Sequence, residues 1–161
     1  MVTRFVTAIA LAIVLAIATK AYAADWNCVW QSASCIMAWT TPGFNAGDFT
    51  GGGGTWTVAS GDVTTYEYVV LGKMMFVNFQ IYTTTVSGTT NALSIAIPAS
   101  KVATHETEIP VTIIDNGSNT TGRAIVSASG TTIVVKRTND ANFAASSDAT
   151  YILGQIVFQI N

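Results

Sequence analysis

Between Thr55 and Asn161, apolar and polar residues alternate with a spacing of two. Met75, Val77, Phe79 and Ile81 recur on one side of a run whose other side carries Asn78 and Gln80. Leu93, Ile95 and Ile97 alternate with Ser94 and Ala96, and Pro98 stops that run. Ile133 and Val135 oppose Thr132, Val134 and Lys136; further on, Ile152, Ile156, Phe158 and Ile160 oppose Tyr151, Gln155 and Gln159. Successive side chains of a strand point to opposite faces, so this pattern predicts strands with one buried face. Threonine, valine and isoleucine dominate, and turn residues punctuate them at short intervals. About eight strands are expected, at 55–59, 64–71, 74–84, 93–97, 107–114, 123–128, 131–137 and 150–160. No segment here carries a helical period, which excludes a βαβ architecture.

The connections agree. Gly72-Lys73 is short enough for a hairpin. Asp115-Asn116-Gly117-Ser118-Asn119 is polar and tolerates positive φ, and Ser129-Gly130 reads as another reversal. The polar stretch 138–149 reads as an exposed loop before the closing strand. Strands of this number and length predict an all-β fold, an antiparallel β-sandwich of jelly-roll type spanning 55–161.

The chain upstream differs in kind. Residues 1–23 place Arg4 before an apolar run from Phe5 to Thr19, then Lys20 and Ala21-Tyr22-Ala23. That order is the secretory signal pattern, with cleavage expected after Ala23. The run is short for a bilayer span. The alternatives are an uncleaved membrane anchor, with Lys20 reaching the interface, and a packed helix. Residues 24–54 carry Trp26, Trp30 and Trp39 without a clean period, and Gly51–Gly54 reads as a flexible link. Cys28 and Cys35 are the only cysteines. In an oxidising compartment they would form a disulfide worth about 2–3 kcal/mol; two free thiols or half of a metal site are the alternatives.

Composition narrows the function more than the fold. Half of the 161 residues are hydrophobic and 10% are charged, with seven Lys plus Arg against nine Asp plus Glu. No basic cluster exists to neutralise phosphates, which argues against a nucleic-acid partner. His105 is the only imidazole and sits in a polar stretch beside Glu106 and Glu108. A Ser-His-Asp triad would need it, yet no Gly-x-Ser-x-Gly elbow is present. Carboxylate pairs such as Asp62 with Glu67, or Glu106 with Glu108, read as surface charges. Asp115, Asn116, Asp140 and Asp148 are oxygen donors in loops without a recognised calcium spacing. Asn116 and Asn119 each begin an N-glycosylation pattern. The four glycines precede Thr55-Trp56-Thr57-Val58, a strand, and not a Lys-Ser/Thr helix start, so they do not form a phosphate loop. No catalytic residue, metal or cofactor is assigned, and the chain reads as non-enzymatic.

The aromatic residues are the remaining candidates. Tyr66, Tyr68 and Tyr82 could stack against sugars, or belong to the core or a subunit interface. Met74, Phe76 and Tyr82 fall on the nominally outer side of their strand. So much apolar surface on so weakly charged a chain suggests burial against identical neighbours, unless 24–50 or 138–149 covers it.

The run Thr55-Trp56-Thr57-Val58, Asp62, Tyr66-Glu67-Tyr68 and Gly72-Lys73, then the aromatic strand 74–82, Val86-Ser87-Gly88, Ile97-Pro98 and Gly154-Gln155-Ile156-Val157-Phe158, resembles a known module. It is similar to the C-terminal jelly-roll modules of phage tail fibres and other virion appendages, akin to tumour-necrosis-factor-like heads. The resemblance spans about residues 55–161. It implies a β-sandwich, a homotrimer, and a structural or receptor-binding role among virion proteins or at a cell-surface glycan. The export segment and cysteine pair suggest the alternative, a secreted bacterial carbohydrate-binding or adhesion module. The expected location is extracellular or on a virion surface, with membrane attachment only if 1–23 is retained.

Overall fold

Short-range alternation becomes seven antiparallel strands in the computed structural model, which describes residues 38–161. They are β1 (Phe49–Thr57), β2 (Val63–Leu71), β3 (Met74–Ala96), β4 (Thr107–Asp115), β5 (Ser118–Val126), β6 (Thr132–Arg137) and β7 (Ser146–Gln159). The expectations for residues 1–23, Cys28 and Cys35 lie outside the described residues. Gly72-Lys73 joins β2 to β3, as its brevity predicts. Asn116 and Gly117, at φ 48° and 78°, join β4 to β5 with the consecutive positive φ values of a type I′ turn.

The strands do not divide into the two sheets of a jelly roll. β3 pairs with β6 and β7, β6 with β5, β5 with β4, and β4 with β7. Hydrogen bonding therefore runs in a closed circuit, a five-stranded barrel. The cause is β3. The expected strands 74–84 and 93–97 are one strand of 23 residues. Straight, it would measure about 75 Å, so it bends and serves both ends of the barrel.

Shared pairings show how. Met75 pairs with Val70 of β2 and Phe158 of β7; Val86 with Trp56 of β1 and Ser146 of β7; Leu93 with Gly51 of β1 and Val135 of β6. β2 and β1 thus follow one another along one edge of β3, and β7 and β6 along the other. The inward phase records the bend. It runs through Met75, Val77, Phe79 and Ile81, shifts to Thr84 and Val86, and returns at Leu93 and Ile95. The first shift falls at Thr83, a β-branched residue at φ 51° whose Oγ1 donates to Asp62 at 3.0 Å. The second falls near Gly88. The expected Val86-Ser87-Gly88 loop is therefore part of β3.

Gly51–Gly54 lies inside β1 and is not a link between strands. It faces the bent part of β3 so closely that side chains have no room. A Cβ at Gly52 would stand 2.7 Å from Asn91 Oδ1, and one at Gly54 would stand 2.6 Å from the Ser87 carbonyl.

The interior is filled by Phe79, Phe158, Met75, Leu93, Ile113, Ile133 and their neighbours, all fully buried. The polar groups enclosed with them are paired. Trp56 Nε1 donates to Thr84 Oγ1 at 2.9 Å, and that hydroxyl donates to the Thr150 carbonyl at 2.9 Å. The expected exposed loop 138–149 is shorter and partly buried. β7 begins at Ser146, and Phe143 is 3% exposed with its ring edge-on to Trp56 at 4.6 Å. Asp115 holds this segment by accepting from Ala144 N and, at 3.0 Å, from Arg137 Nη1. One buried carboxylate so accepts from a cation and a backbone donor.

Candidate interaction surface

The register that sends Met75 to Ile81 inward turns Met74, Phe76, Asn78, Gln80 and Tyr82 outward. Pairing then lays out the outer face of β2, β3, β7 and β4 as rungs. At one end Leu71, Met74 and Gln159 lie side by side, and Val69, Phe76 and Val157 form the next rung. The middle rung is Glu67, Asn78 and Gln155, where Asn78 Nδ2 donates to Glu67 Oε1 at 3.1 Å. Beyond it come Thr65, Gln80, Leu153 and Thr112. The far end holds Tyr151 next to Ile114, with Tyr82 edge-on to Tyr151 at 5.5 Å between ring centroids.

Most of these side chains are half-buried by their neighbours. Leu71 and Met74, at the hairpin tip, are 47% and 39% exposed. Glu67 is the only charged residue in these rungs, and Glu108 lies on the same side of β4 beyond its pairing with β7. An antiparallel sheet with one solvated side ordinarily carries polar and charged residues there. This one carries aliphatic and aromatic residues toward both ends, around a middle of amide, threonine and one carboxylate side chains.

The four aromatic candidates separate. Phe76 and Tyr82 belong to the outer face. Tyr66 and Tyr68 pair with Phe79 and Val77 and turn to the inner side, so they form no platform with Tyr82. Tyr68 packs on the core, and its backbone is bridged by Thr40 along the free edge of β2. Tyr66 is 5% exposed, its hydroxyl donating to the Ala96 carbonyl. Burial, and then the negative charge of Asp48, push its phenol above the ordinary value near 10. The unfolded chain releases that proton from about pH 10 while the folded one retains it. Stability from this group is therefore complete below pH 10 and is lost as pH rises above it. Tyr66→Phe is expected to cost about 1 kcal/mol at neutral pH and to flatten the alkaline fall. Urea midpoints measured from pH 7 to pH 11 check both.

The other chemical candidates lie apart. His105 is exposed, with Thr104 Oγ1 at 2.9 Å from its Nδ1. Asp62 caps the turn before β2 by accepting from Ala59 N, and Asp148 accepts from Thr85. Asn116 and Asn119 are exposed at the β4–β5 hairpin. Among the described residues, no three or more His, Cys, Asp or Glu residues gather as metal ligands. No helix there is long and apolar enough to cross a membrane. Outside β4 and β5, a groove of about 380 Å³ runs past Pro110 and Thr121 beside Arg123. Asp140 takes two hydrogen bonds from Arg123, at 2.6 and 2.8 Å, and Glu108 lies 3.5 Å away. Through its Nη atoms the cation braces the sheet.

Sequence reasoning placed Phe76, Asn78, Tyr82, Tyr151 and Gln155 opposite the buried faces but did not single out Leu153 or Val157, nor the adjacency of the amides. The outward positions of β7 were legible from the same alternation. That they adjoin Phe76 and Tyr82 depends on the pairing of β3 with β7, which no local pattern encodes.

No family model matches this chain, and neither does any curated protein or solved structure.

Proposed function

We propose that the protein is a non-enzymatic structural or receptor-binding component of a virion or appendage, exported or carried on the particle surface. The observation that carries this reading is the outer face of β2, β3, β7 and β4, where aliphatic and aromatic residues flank uncharged polar ones and the charges are Glu67 and, at the β4 margin, Glu108. Contact surfaces are depleted of charge and enriched in aromatic residues and methionine. The resemblance of residues 55–161 to virion appendage modules supports the same role, although the barrel replaces the sandwich that it implies. A second reading, a secreted carbohydrate-binding or adhesion module, is favoured by Tyr82 and Tyr151. Their rings stand at the end of the face near Gln80 and Thr112, apolar surfaces beside hydrogen-bonding groups.

Mass spectrometry of particles and appendages purified from the native source separates the readings. A fixed stoichiometry in those particles is the expected result. Recovery only as free protein in the medium would overturn it, and selective binding on a glycan array would then establish the second reading.

A further inference from the structure

We infer that the outer face of β2, β3, β7 and β4 packs against the same face of a second copy of this chain, about a two-fold axis. This rests on the contact-surface reading and names the partner of that surface.

Size is the first argument. Four strands about 4.8 Å apart, over the eight-residue step from Met74 to Tyr82, give a footprint of about 500 Å² per copy. A pair would cover about 1,000 Å², the lower bound for a specific interface. The assembly is therefore reversible and depends on concentration.

The pattern of the face is the second argument. A two-fold axis parallel to the strands, between β3 and β7, lays every rung on its own copy. Phe76 then meets Val157, Tyr82 meets Tyr151, and Asn78 meets Gln155. Amides both donate and accept, so the middle rung satisfies itself where a lipid surface would leave it unpaired. The Phe76–Val157 rung on one side and the Tyr82–Tyr151 end on the other meet apolar counterparts, while between them Thr65 meets Thr112 and Gln80 meets Leu153. Packed sheets stand about 10 Å apart, the space these side chains fill.

Charge is the third. Glu67 lies on β2, at the margin of the face. The axis puts the two copies of Glu67 on opposite margins, about 14 Å apart across the strands. That exceeds the screening length at physiological salt, and Glu108, on the outer side of β4, already lies 3.5 Å from Arg123, so the carboxylates do not oppose pairing.

Gln155 is exposed and lies next to this axis. Light scattering of the full chain over a concentration series is expected to show monomer passing to dimer. Gln155→Lys and Gln155→Glu, each alone, should weaken the dimer by about tenfold or more, because like charges then face each other. Mixing the two variants should restore a dimer. Thr121→Lys, on exposed β5, should leave association unchanged. Circular dichroism confirms that each variant is folded. A wild type monomeric at every concentration, a trimer, or a dimer indifferent to both Gln155 variants would overturn the inference. A monomer that is nonetheless present in purified particles would remove the pairing and leave the contact-surface reading standing.

Discussion

Replacing Phe79 with alanine is expected to lower the unfolding free energy by about 3–5 kcal/mol. Phe79 is fully buried, and it stands between Tyr66 of β2 and Gly154 of β7 in the register. Its ring occupies the space that a side chain at 154 would take. A Cβ there would be 2.9 Å from Phe79 Cζ and 2.5 Å from Val111 Cγ1. Large and small residues are thus matched across the strands, and removing the large one leaves a cavity that rigid β3 and β7 cannot close. Gly154→Ala should itself be destabilising, and less so once Phe79 has been removed. Because the two sites touch, a coupling of about 1 kcal/mol or more is expected. Chemical denaturation of the two single variants and the double variant measures it; strict additivity would show that the ring does not fill this space.

Gly54→Ala is expected to cost about 3 kcal/mol, a large effect for one methyl group. The new carbon would lie 2.6 Å from the Ser87 carbonyl and would also strike Thr90 Oγ1. The carbonyl belongs to the backbone of β3 and cannot turn aside as a side chain can. Relief requires β1 to move off β3 where β3 bends. Gly61→Ala is the control, since nothing lies within 4 Å of its added carbon, and it should stay within about 0.5 kcal/mol of the parent. Thermal unfolding of the two variants decides the point. Equal melting temperatures would restore the view of the four glycines as slack.

The contrast shows what sequence can convey. Alternation over 75–81, 93–97, 131–137 and 152–160 reports each strand's inward side directly, and those inward sets are the observed core. The Asn116-Gly117 turn was equally legible, because its chemistry is local. The glycine run was misread because close approach depends on the Ser87 backbone and the Asn91 side chain, thirty-odd positions away. β3 was split in two because its inward phase slips twice, and a slip looks like a loop when partners are unknown. A single buried aromatic, Phe143, in an otherwise polar stretch was the one sign that 138–149 was anchored. Tyr66 and Tyr68 were ambiguous because their strand offers no apolar contrast: Thr65, Glu67 and Val69 alternate with them.

β7 comes last of the seven strands in chain order, yet it joins the first half of β3 to β4. Until it docks, both of those strands present bare hydrogen-bonding groups, and the ring stays open. A molecule with β7 displaced would keep the β2–β3 and β4–β5 hairpins as an unsealed ring. Such an unsealed ring can accept a β7 from a neighbouring chain in place of its own when the chain is concentrated enough to compete with the tethered strand. The place of β7 between β3 and β4 thus makes its docking the point at which intramolecular closure competes with strand exchange.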